Sequence, residues 1–304
     1  MNGTMPQTAI RHSAGNNMES KDVDLALTMR LKSLNINKAL GSRRGVAADY
    51  GRLAVLHAAK GKLDVAESML HHAIEIERSL GRHDIIARHC SELGRLCLAQ
   101  GSLDKAEDLF REALEVSIVL GRKQATVESY QALAEISERR NDQRQTEILL
   151  LKAIEIEENS QDGKLLASVL GKLAAVYLRN GNPRQAEPIL QKAKKLYDDM
   201  GVAAGRADTL GHLGIAHMMQ DQPEQSEIVL IEALDINATL NRRIHQADNY
   251  GNLANLYWSQ GLLPEARACY YEAHALYSQT GQHSKARTVV ALLNSLSALS
   301  GDGC

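Results

Sequence analysis

Apolar and small residues recur along this chain at intervals of forty residues. We number the repeating unit so that position 1 is Ala47 in the first copy and each later copy adds forty. Position 27 is then alanine in all six full copies, from Ala73 to Ala273. Position 7 is always leucine, and its members are Leu53, Leu93, Leu133, Leu173, Leu213, Leu253 and Leu293. A fixed period of this length indicates a protein built by stacking one supersecondary unit.

The spacing within each unit predicts two helices. At about 100° per residue, positions 4, 7, 8 and 11 lie on one face of a first helix, and positions 20, 24, 27 and 28 lie on one face of a second. Position 15 is Gly, Asn or Asp in all six copies, which is typical of a turn. Positions 8, 20 and 27 carry small residues, so the two helices can approach closely. We therefore predict an all-α chain of antiparallel helical hairpins.

Turn residues also mark the ends of the units. Glycines stand on the forty-residue grid, with Gln161 and Asn241 at two further nodes, and the glycines are Gly41, Gly81, Gly121, Gly201 and Gly281. Glycine or asparagine suits a helix end that needs a left-handed residue. We predict a disordered tail over residues 1–20 and a single domain over residues 21–300. Its parts are a half repeat at 21–40, repeats at 41–80, 81–120, 121–160, 161–200, 201–240 and 241–280, and a capping helix at 282–300.

The residues at the numbered positions of this unit resemble the tetratricopeptide repeat, which has small residues at positions 8, 20 and 27, large residues at 4, 11 and 24, and glycine near 15. The first copy matches with Tyr50, Leu53, Ala54, His57, Gly61, Ala66, Leu70 and Ala73. The resemblance extends over residues 41–280. Two departures are the missing proline near position 32 and the length of forty residues.

The resemblance implies an α-solenoid in which helix pairs wind into a right-handed superhelix. It also implies that a peptide or another protein binds in a concave groove and that the chain has no catalytic activity. Units of this length are similar to those of polarity adaptors that bridge G-protein subunits to spindle factors, of bacterial adaptors and regulators, and of kinesin light chains.

The face that would line such a groove is opposite the hairpin contact of the first helix, at positions 2, 5, 6, 9, 12 and 13. Position 5 is glycine in four copies, Gly51, Gly171, Gly211 and Gly251, and we interpret it as bare backbone on the groove floor. The residues that we predict to contact a partner are Arg88, Arg95, Lys172, Arg179, Gly211, His212, Ile215, Met218, Met219, Gly251, Asn252, Asn255 and Trp258.

The strongest part of this face lies in repeats five and six. Trp258 beside the adjacent Met218 and Met219 offers an adaptable apolar anchor. In the similar adaptors, asparagines at positions 6 and 9 hold the main chain of the ligand, and the resemblance carries this role to Asn252 and Asn255. The alternatives are that Trp258 covers the neighbouring first helix and that Met219 packs between repeats.

The charged residues of the same face have an alternative interpretation. Arg88 and Arg95 stand one repeat before Glu128 and Glu135 at matching positions, so they can form exposed ion pairs with each other's helices instead of binding a partner. A clamp for acidic chaperone tails is excluded, because that clamp needs Lys at position 5, which is never Lys here.

Composition narrows the function classes further. The net charge of −2 gives no basic field for nucleic acid, and no apolar run is long enough to insert into a membrane. We expect a cytoplasmic protein. Four cysteines are too scattered for a disulfide framework, and we interpret Cys90 and Cys97 as buried thiols. No HExxH, CxxC or phosphate loop is present, so we expect no catalytic residues, metal or cofactor.

Three functions therefore remain open at this level. The first is an adaptor or scaffold that binds a segment of another protein. The second is a regulatory module that changes shape when it binds a signalling peptide. The third is a structural protein that self-associates through the half repeats at its ends.

Overall fold

The computed structural model describes residues 20–158 and 163–299. Within these ranges it contains fourteen α-helices and no β-strand. The helices are α1 (Ser20–Ala39), α2 (Arg43–Ala59), α3 (Leu63–Ser79), α4 (His83–Ala99), α5 (Leu103–Val119), α6 (Lys123–Arg139), α7 (Gln143–Glu157), α8 (Gly163–Arg179), α9 (Pro183–Asp199), α10 (Ala203–Met219), α11 (Pro223–Thr239), α12 (Arg243–Ser259), α13 (Leu263–Gln279) and α14 (His283–Leu299). The predicted all-α class is confirmed. The predicted tail, apart from Ser20, and the node at Gln161 lie outside the described residues.

The even-numbered helices from α2 onward are the first helices of the repeats, and the odd-numbered helices from α3 onward are the second. The turns between them need a left-handed residue, which is usually glycine, as at Gly61 with φ 73°. Asn141 and Asp221 take the same conformation at φ 61° and 59°. Short polar side chains tolerate this region better than bulky ones, which is why the turn column admits only Gly, Asn and Asp.

The small residues at positions 8 and 20 are buried where the two helices of a hairpin meet. A Cβ atom on Gly94 would lie 2.9 Å from the ring of Phe110, and one on Gly214 would lie 2.5 Å from Leu230. Phe110 and Leu230 both occupy position 24, so the large residue of the second helix fills the space that the first helix leaves. The predicted close approach within each hairpin is confirmed at these two copies.

The chain divides into two compact units, with the boundary between Ala153 and Ile154. In the first unit, each helix from α1 to α6 packs against the next. In the second unit the same holds from α8 to α14, and α10 also contacts α8 and α12. The first helices of repeats four, five and six therefore lie side by side. The single domain and the right-handed superhelix stay predictions.

The half repeat α1 is held on α2 by a buried carboxylate. Asp49 accepts hydrogen bonds from Arg30 at 3.1 Å, Ser33 at 2.8 Å and Asn37 at 2.7 Å. Burial alone would raise the pKa of Asp49, but the three hydrogen bonds and the positive charge of Arg30 hold it below its ordinary value. Three donors from one helix thus converge on a single acceptor of the next.

Candidate functional site

The first helices α8, α10 and α12 present the predicted binding residues of the second unit on one surface. We call this surface the first-helix wall and define it as positions 2, 5, 6, 9, 12 and 13 of these helices. Helices fix these positions because residues three, four and seven apart share a face. The wall therefore consists of short columns of side chains that continue from one repeat to the next.

The two predicted main-chain-binding asparagines have different surroundings. Asn252 is half-buried, and its carboxamide makes no hydrogen bond with any residue in the described ranges. Asn255 is exposed, yet its Oδ1 accepts a hydrogen bond from the hydroxyl of Tyr270 on α13. Asn252 can therefore offer both a donor and an acceptor to a ligand, whereas Asn255 keeps mainly its NH₂ group.

Trp258 is only partly available. Its ring meets the ring of Tyr270 edge to face, with centroids 6.2 Å apart and an interplanar angle of 84°. It also packs against the buried cluster that α12, α13 and α14 form together. The side chain remains half-buried, not fully buried. The alternative that Trp258 covers the neighbouring first helix agrees with its packing on a cluster that includes residues of α14.

The two adjacent methionines differ in how far they are buried. Met218 packs on the cluster of Leu230, Leu253 and Leu256, so it joins α10 to α12. Met219 is 41% exposed and borders a cleft beside the turns of repeats four and five. Ile215 is half-buried against the core of α8 to α11. Of these three predicted contact residues, Met219 is the one that offers exposed apolar area.

His212 gives the wall a neutral polar group. Burial lowers its pKa below the ordinary value, while the nearby charges of Asp208 and Arg179 act on it in opposite directions. The ring is therefore neutral at pH 7 and can donate through one nitrogen and accept through the other. Lys172 and Arg179 are exposed on α8, as predicted, and they bring positive charge to the same helix column.

The carboxylates that border the wall are already bound within the fold. Asp208 accepts from Arg242 at 2.9 Å. Asp248 accepts from the hydroxyl of Tyr277 and from Lys285, each at 2.6 Å. Their negative charge is largely compensated, so the charge that the wall presents to a partner is not dominated by these two acids.

The glycines of position 5 do not all provide bare backbone, and the prediction is wrong at Gly211. A Cβ atom there would lie 2.9 Å from Oδ1 of Asn249, and Gly211 is buried. The same position in repeat one, Gly51, is buried under the ring of His89. Gly251 is half-buried, and an added Cβ would have no neighbour within 4 Å. Only the open glycines, Gly171 and Gly251, fit the interpretation as groove floor.

In the first unit, Arg88 and Arg95 line a cleft of about 750 Å³ between α4 and α6. The alternative that these arginines pair across neighbouring helices holds for Arg95, although with a different glutamate from the one at its matching position. Arg95 binds Glu128 at 3.4 Å, whereas Glu135 binds Arg139 of its own helix at 2.6 Å. Arg139 stands one turn beyond Glu135, so the local pair prevails over the pair between helices.

Sequence reasoning missed two sets of residues that line clefts. Arg122 and Lys123 border the cleft of the first unit, and they directly follow the node glycine Gly121. In the second unit, Asn182, Arg184 and Gln222 line a second cleft of about 530 Å³ together with Met219. Both sets lie in the turns or in the first helical residues after them, outside the face positions of the first helices. Their places directly after Gly121 and Gly181 and near Asp221 were the available signal.

The described residues contain no group of three or more His, Cys, Asp or Glu side chains that could hold a metal ion. Over the same ranges, no helix is both long enough and apolar enough to cross a membrane. Cys90 and Cys97 are buried free thiols, as predicted. Burial raises the pKa of Cys90 to about 12.

Two sequence profiles described as tetratricopeptide repeat match this chain. One matches residues 85–159, 165–239 and 205–279, and the other matches residues 46–85. These matches span most of the repeats that the forty-residue spacing predicts. A comparison of the sequence with curated proteins gave no match.

Several solved structures are similar in fold. The crystal structure of BtubC (BKLC) from P. vanneervenii is 20% identical with a TM-score of 0.65, covering 72% of this chain and 92% of its own. The apo quorum sensor NprR from B. thuringiensis is 14% identical with a TM-score of 0.62, covering 95% and 86%. A Rap protein complexed with Competence and Sporulation Factor is 10% identical with a TM-score of 0.58, covering 97% and 92%. At these identities the similarity shows the fold.

Proposed function

Because this chain belongs to the tetratricopeptide repeat family, we propose that it is a non-catalytic adaptor that binds a peptide or protein segment on the first-helix wall of its second unit. The observation that carries the proposal is the unpaired carboxamide of Asn252. It is half-buried on α12 and has no hydrogen-bond partner within the described ranges. A half-buried amide whose polar atoms have no partner in the described part of the fold can donate to and accept from a ligand main chain.

The surroundings of Asn252 support a peptide as the ligand. Gly251 beside it has open space where a side chain would be, so an extended main chain can approach the helix backbone closely. His212 supplies a neutral donor and acceptor on the neighbouring helix. The exposed Met219 and the half-buried Trp258 supply apolar contact at the edges. Polar groups that fix the orientation of a ligand, together with a few apolar anchors, are typical of peptide-binding surfaces.

A regulatory module that responds to a peptide is the second candidate function. It is favoured by the fold shared with two regulators, the Rap protein complexed with Competence and Sporulation Factor and the quorum sensor NprR. The two functions use the same wall and differ in what binding does. A ligand-dependent change in small-angle X-ray scattering of the full chain would favour the regulatory module, and an unchanged profile would favour the adaptor.

The adaptor proposal is tested by capturing partners from a cell lysate with the immobilised full chain and identifying them by mass spectrometry. Three versions are compared, namely the wild type, Asn252→Ala and Asn294→Ala. Asn294 is an exposed asparagine on α14 and serves as the matched control. We expect a partner that the wild type and Asn294→Ala retain and that Asn252→Ala loses. Equal recovery by all three versions would refute this placement of the site.

A further inference from the structure

A cleft in the first unit lies between the first helices of repeats two and three. It has a volume of about 750 Å³, which is within the range of protein sites that bind ligands. Its walls are α4 and α6, and the C-terminal end of α5 closes one side. The wall of the second unit, to which the adaptor function is assigned, shares no residue with it.

Three of the seven charged residues that line this cleft have a partner within the fold. Glu128 accepts from Arg95 at 3.4 Å and from Gln124 at 3.1 Å. Glu92 lies 3.0 Å from Nδ1 of the buried His89. Arg95 and Glu128 therefore compensate each other, whereas Glu92 keeps its negative charge beside an imidazole that is charged only if protonated.

The remaining charges are mainly positive. Arg88, Arg122 and Lys123 line the cleft and are exposed, and none of them forms an ion pair with another described residue. The one acid of the cleft that is also without an ion pair in the described ranges is Asp84. With Arg95 and Glu128 paired, three cations face the carboxylates of Asp84 and Glu92, which leaves an excess of one positive charge, although the whole chain carries −2. The cleft is therefore locally positive, although the net charge of the chain is negative.

The same cleft offers apolar area beside its cations. Leu120 is 44% exposed at the end of α5, and the neighbouring Val119 is 84% exposed. Ile85 and Val116 also contribute to the lining. Exposed apolar area next to cations is typical of a surface that binds another molecule.

We propose that this cleft is a second binding site, which takes an acidic segment of another protein. Carboxylates of the segment lie opposite Arg88, Arg122 and Lys123, and an apolar side chain lies on Leu120. Complementary charge of this kind speeds association and selects partners of the opposite sign. The site rests on the proposed adaptor function in one respect only, namely that the chain binds polypeptide segments.

The test uses the full chain and a fluorescein-labelled hexapeptide of sequence Glu-Leu-Glu-Glu-Leu-Glu, with Gln-Leu-Gln-Gln-Leu-Gln as the uncharged counterpart. Binding is measured by fluorescence anisotropy at low and moderate salt. We expect the Glu peptide to bind more tightly than the Gln peptide and to weaken as salt is added. We also expect the Arg88→Gln, Arg122→Gln, Lys123→Gln triple variant to lose about tenfold or more of its affinity, because each exposed ion pair contributes up to a factor of about five.

The matched control is the triple variant Lys32→Gln, Arg44→Gln, Arg144→Gln. It changes the net charge of the same unit equally, at exposed positions that do not line the cleft. It should bind the Glu peptide as the wild type does. A second variant, Leu120→Gln, should weaken both peptides, because it removes the apolar contact that they share.

Three outcomes would overturn the proposal. One is equal binding of the Glu and Gln peptides, the second is an equal loss in both triple variants, and the third is no binding of the Glu peptide. Asn294→Ala should leave this binding unchanged, since Asn294 lies outside both the cleft and the first-helix wall. A failure at the cleft is thereby distinguished from a failure of the adaptor function, which the capture experiment with Asn252→Ala tests separately.

Discussion

The imidazole ring of His89 occupies the space beside Gly51 that a side chain would need. A Cβ atom on Gly51 would lie 2.5 Å from Cε1 of His89, and both residues are buried. His89 stands at position 3 of repeat two, and Gly51 at position 5 of repeat one. Asn249 and Gly211 repeat the relationship between repeats six and five. Opposite Gly171 and Gly251, position 3 of the next repeat is the smaller Thr209 or Val289. An added Cβ atom on either glycine would have no neighbour within 4 Å.

This relationship predicts opposite effects of two identical substitutions. Gly51→Ala should destabilise the fold by about 1–3 kcal/mol, because the added methyl group meets a buried ring that cannot move away cheaply. Gly251→Ala should stabilise it by about 0.5–1 kcal/mol, because alanine is the better helix former and nothing opposes it. Urea unfolding followed by circular dichroism measures both. If both substitutions changed the free energy of unfolding in the same direction, the proposed contact between Gly51 and His89 would be contradicted.

The carboxylate of Asp49 should make the docking of α1 sensitive to acid. Its pKa is lower in the folded chain than in the unfolded chain, so the stabilisation is complete above the unfolded pKa of about 4. It is lost as the pH falls through the lower folded pKa. Asp49→Asn should cost about 1.5–3 kcal/mol at pH 7, and this difference should shrink toward zero in acid. Hydrogen exchange of the α1 amides in both proteins measures it, and a difference that does not depend on pH would argue against this role.

The two asparagines of the wall should respond differently to substitution. Asn255→Ala leaves the hydroxyl of the buried Tyr270 without its acceptor and should cost about 1–3 kcal/mol of stability. Asn252→Ala breaks no hydrogen bond of the described chain and should leave the melting temperature nearly unchanged. For binding we expect the reverse order, with the larger loss for Asn252→Ala. Thermal unfolding measures the loss of stability in each variant, and titration with a captured partner measures the loss of affinity. A larger loss of affinity for Asn255→Ala than for Asn252→Ala would contradict the role given to Asn252.

The buried thiols should be unreactive in the folded chain. Burial raises the pKa of Cys90 to about 12 and also raises the pKa of Cys97, so almost no thiolate forms at pH 8. In a Cys304→Ser variant, an aromatic disulfide reagent should react slowly with both thiols until urea unfolds the protein. Rapid reaction of two or more thiols without denaturant would show that these positions open to solvent.

The hairpins were predictable from sequence because their determinants are local. Position 7 leucines and position 27 alanines lie on fixed faces of helices, and the turn glycines follow from the same count. The state of the wall was not predictable in the same way. Whether Asn255 is free depends on Tyr270 fifteen residues later, and whether Gly211 is open depends on Asn249 of the next repeat. Spacing gives the equivalent positions of neighbouring helices, but not which side chains meet across them.

The pairing of Arg95 shows the same limit. The matching positions suggested Glu135 as its partner, yet the structure pairs it with Glu128, seven residues earlier in the chain. Comparing position 5 of each repeat with position 3 of the next would have found the buried glycines. For Arg122 and Lys123, which reach the cleft from outside the face positions, the place directly after Gly121 was the only signal in the sequence.

Site-specific photo-crosslinking shows whether a partner segment lies on the first-helix wall. Benzoylphenylalanine is placed at Met219 or Asn252 on the wall, and at Ile228 or Asn294 as controls outside it. Met219 and Ile228 are both exposed apolar residues, at 41% and 65%. The account predicts crosslinks to the captured partner from the two wall positions and none from the controls. Crosslinks of equal yield from Ile228, or from the control positions alone, would contradict it.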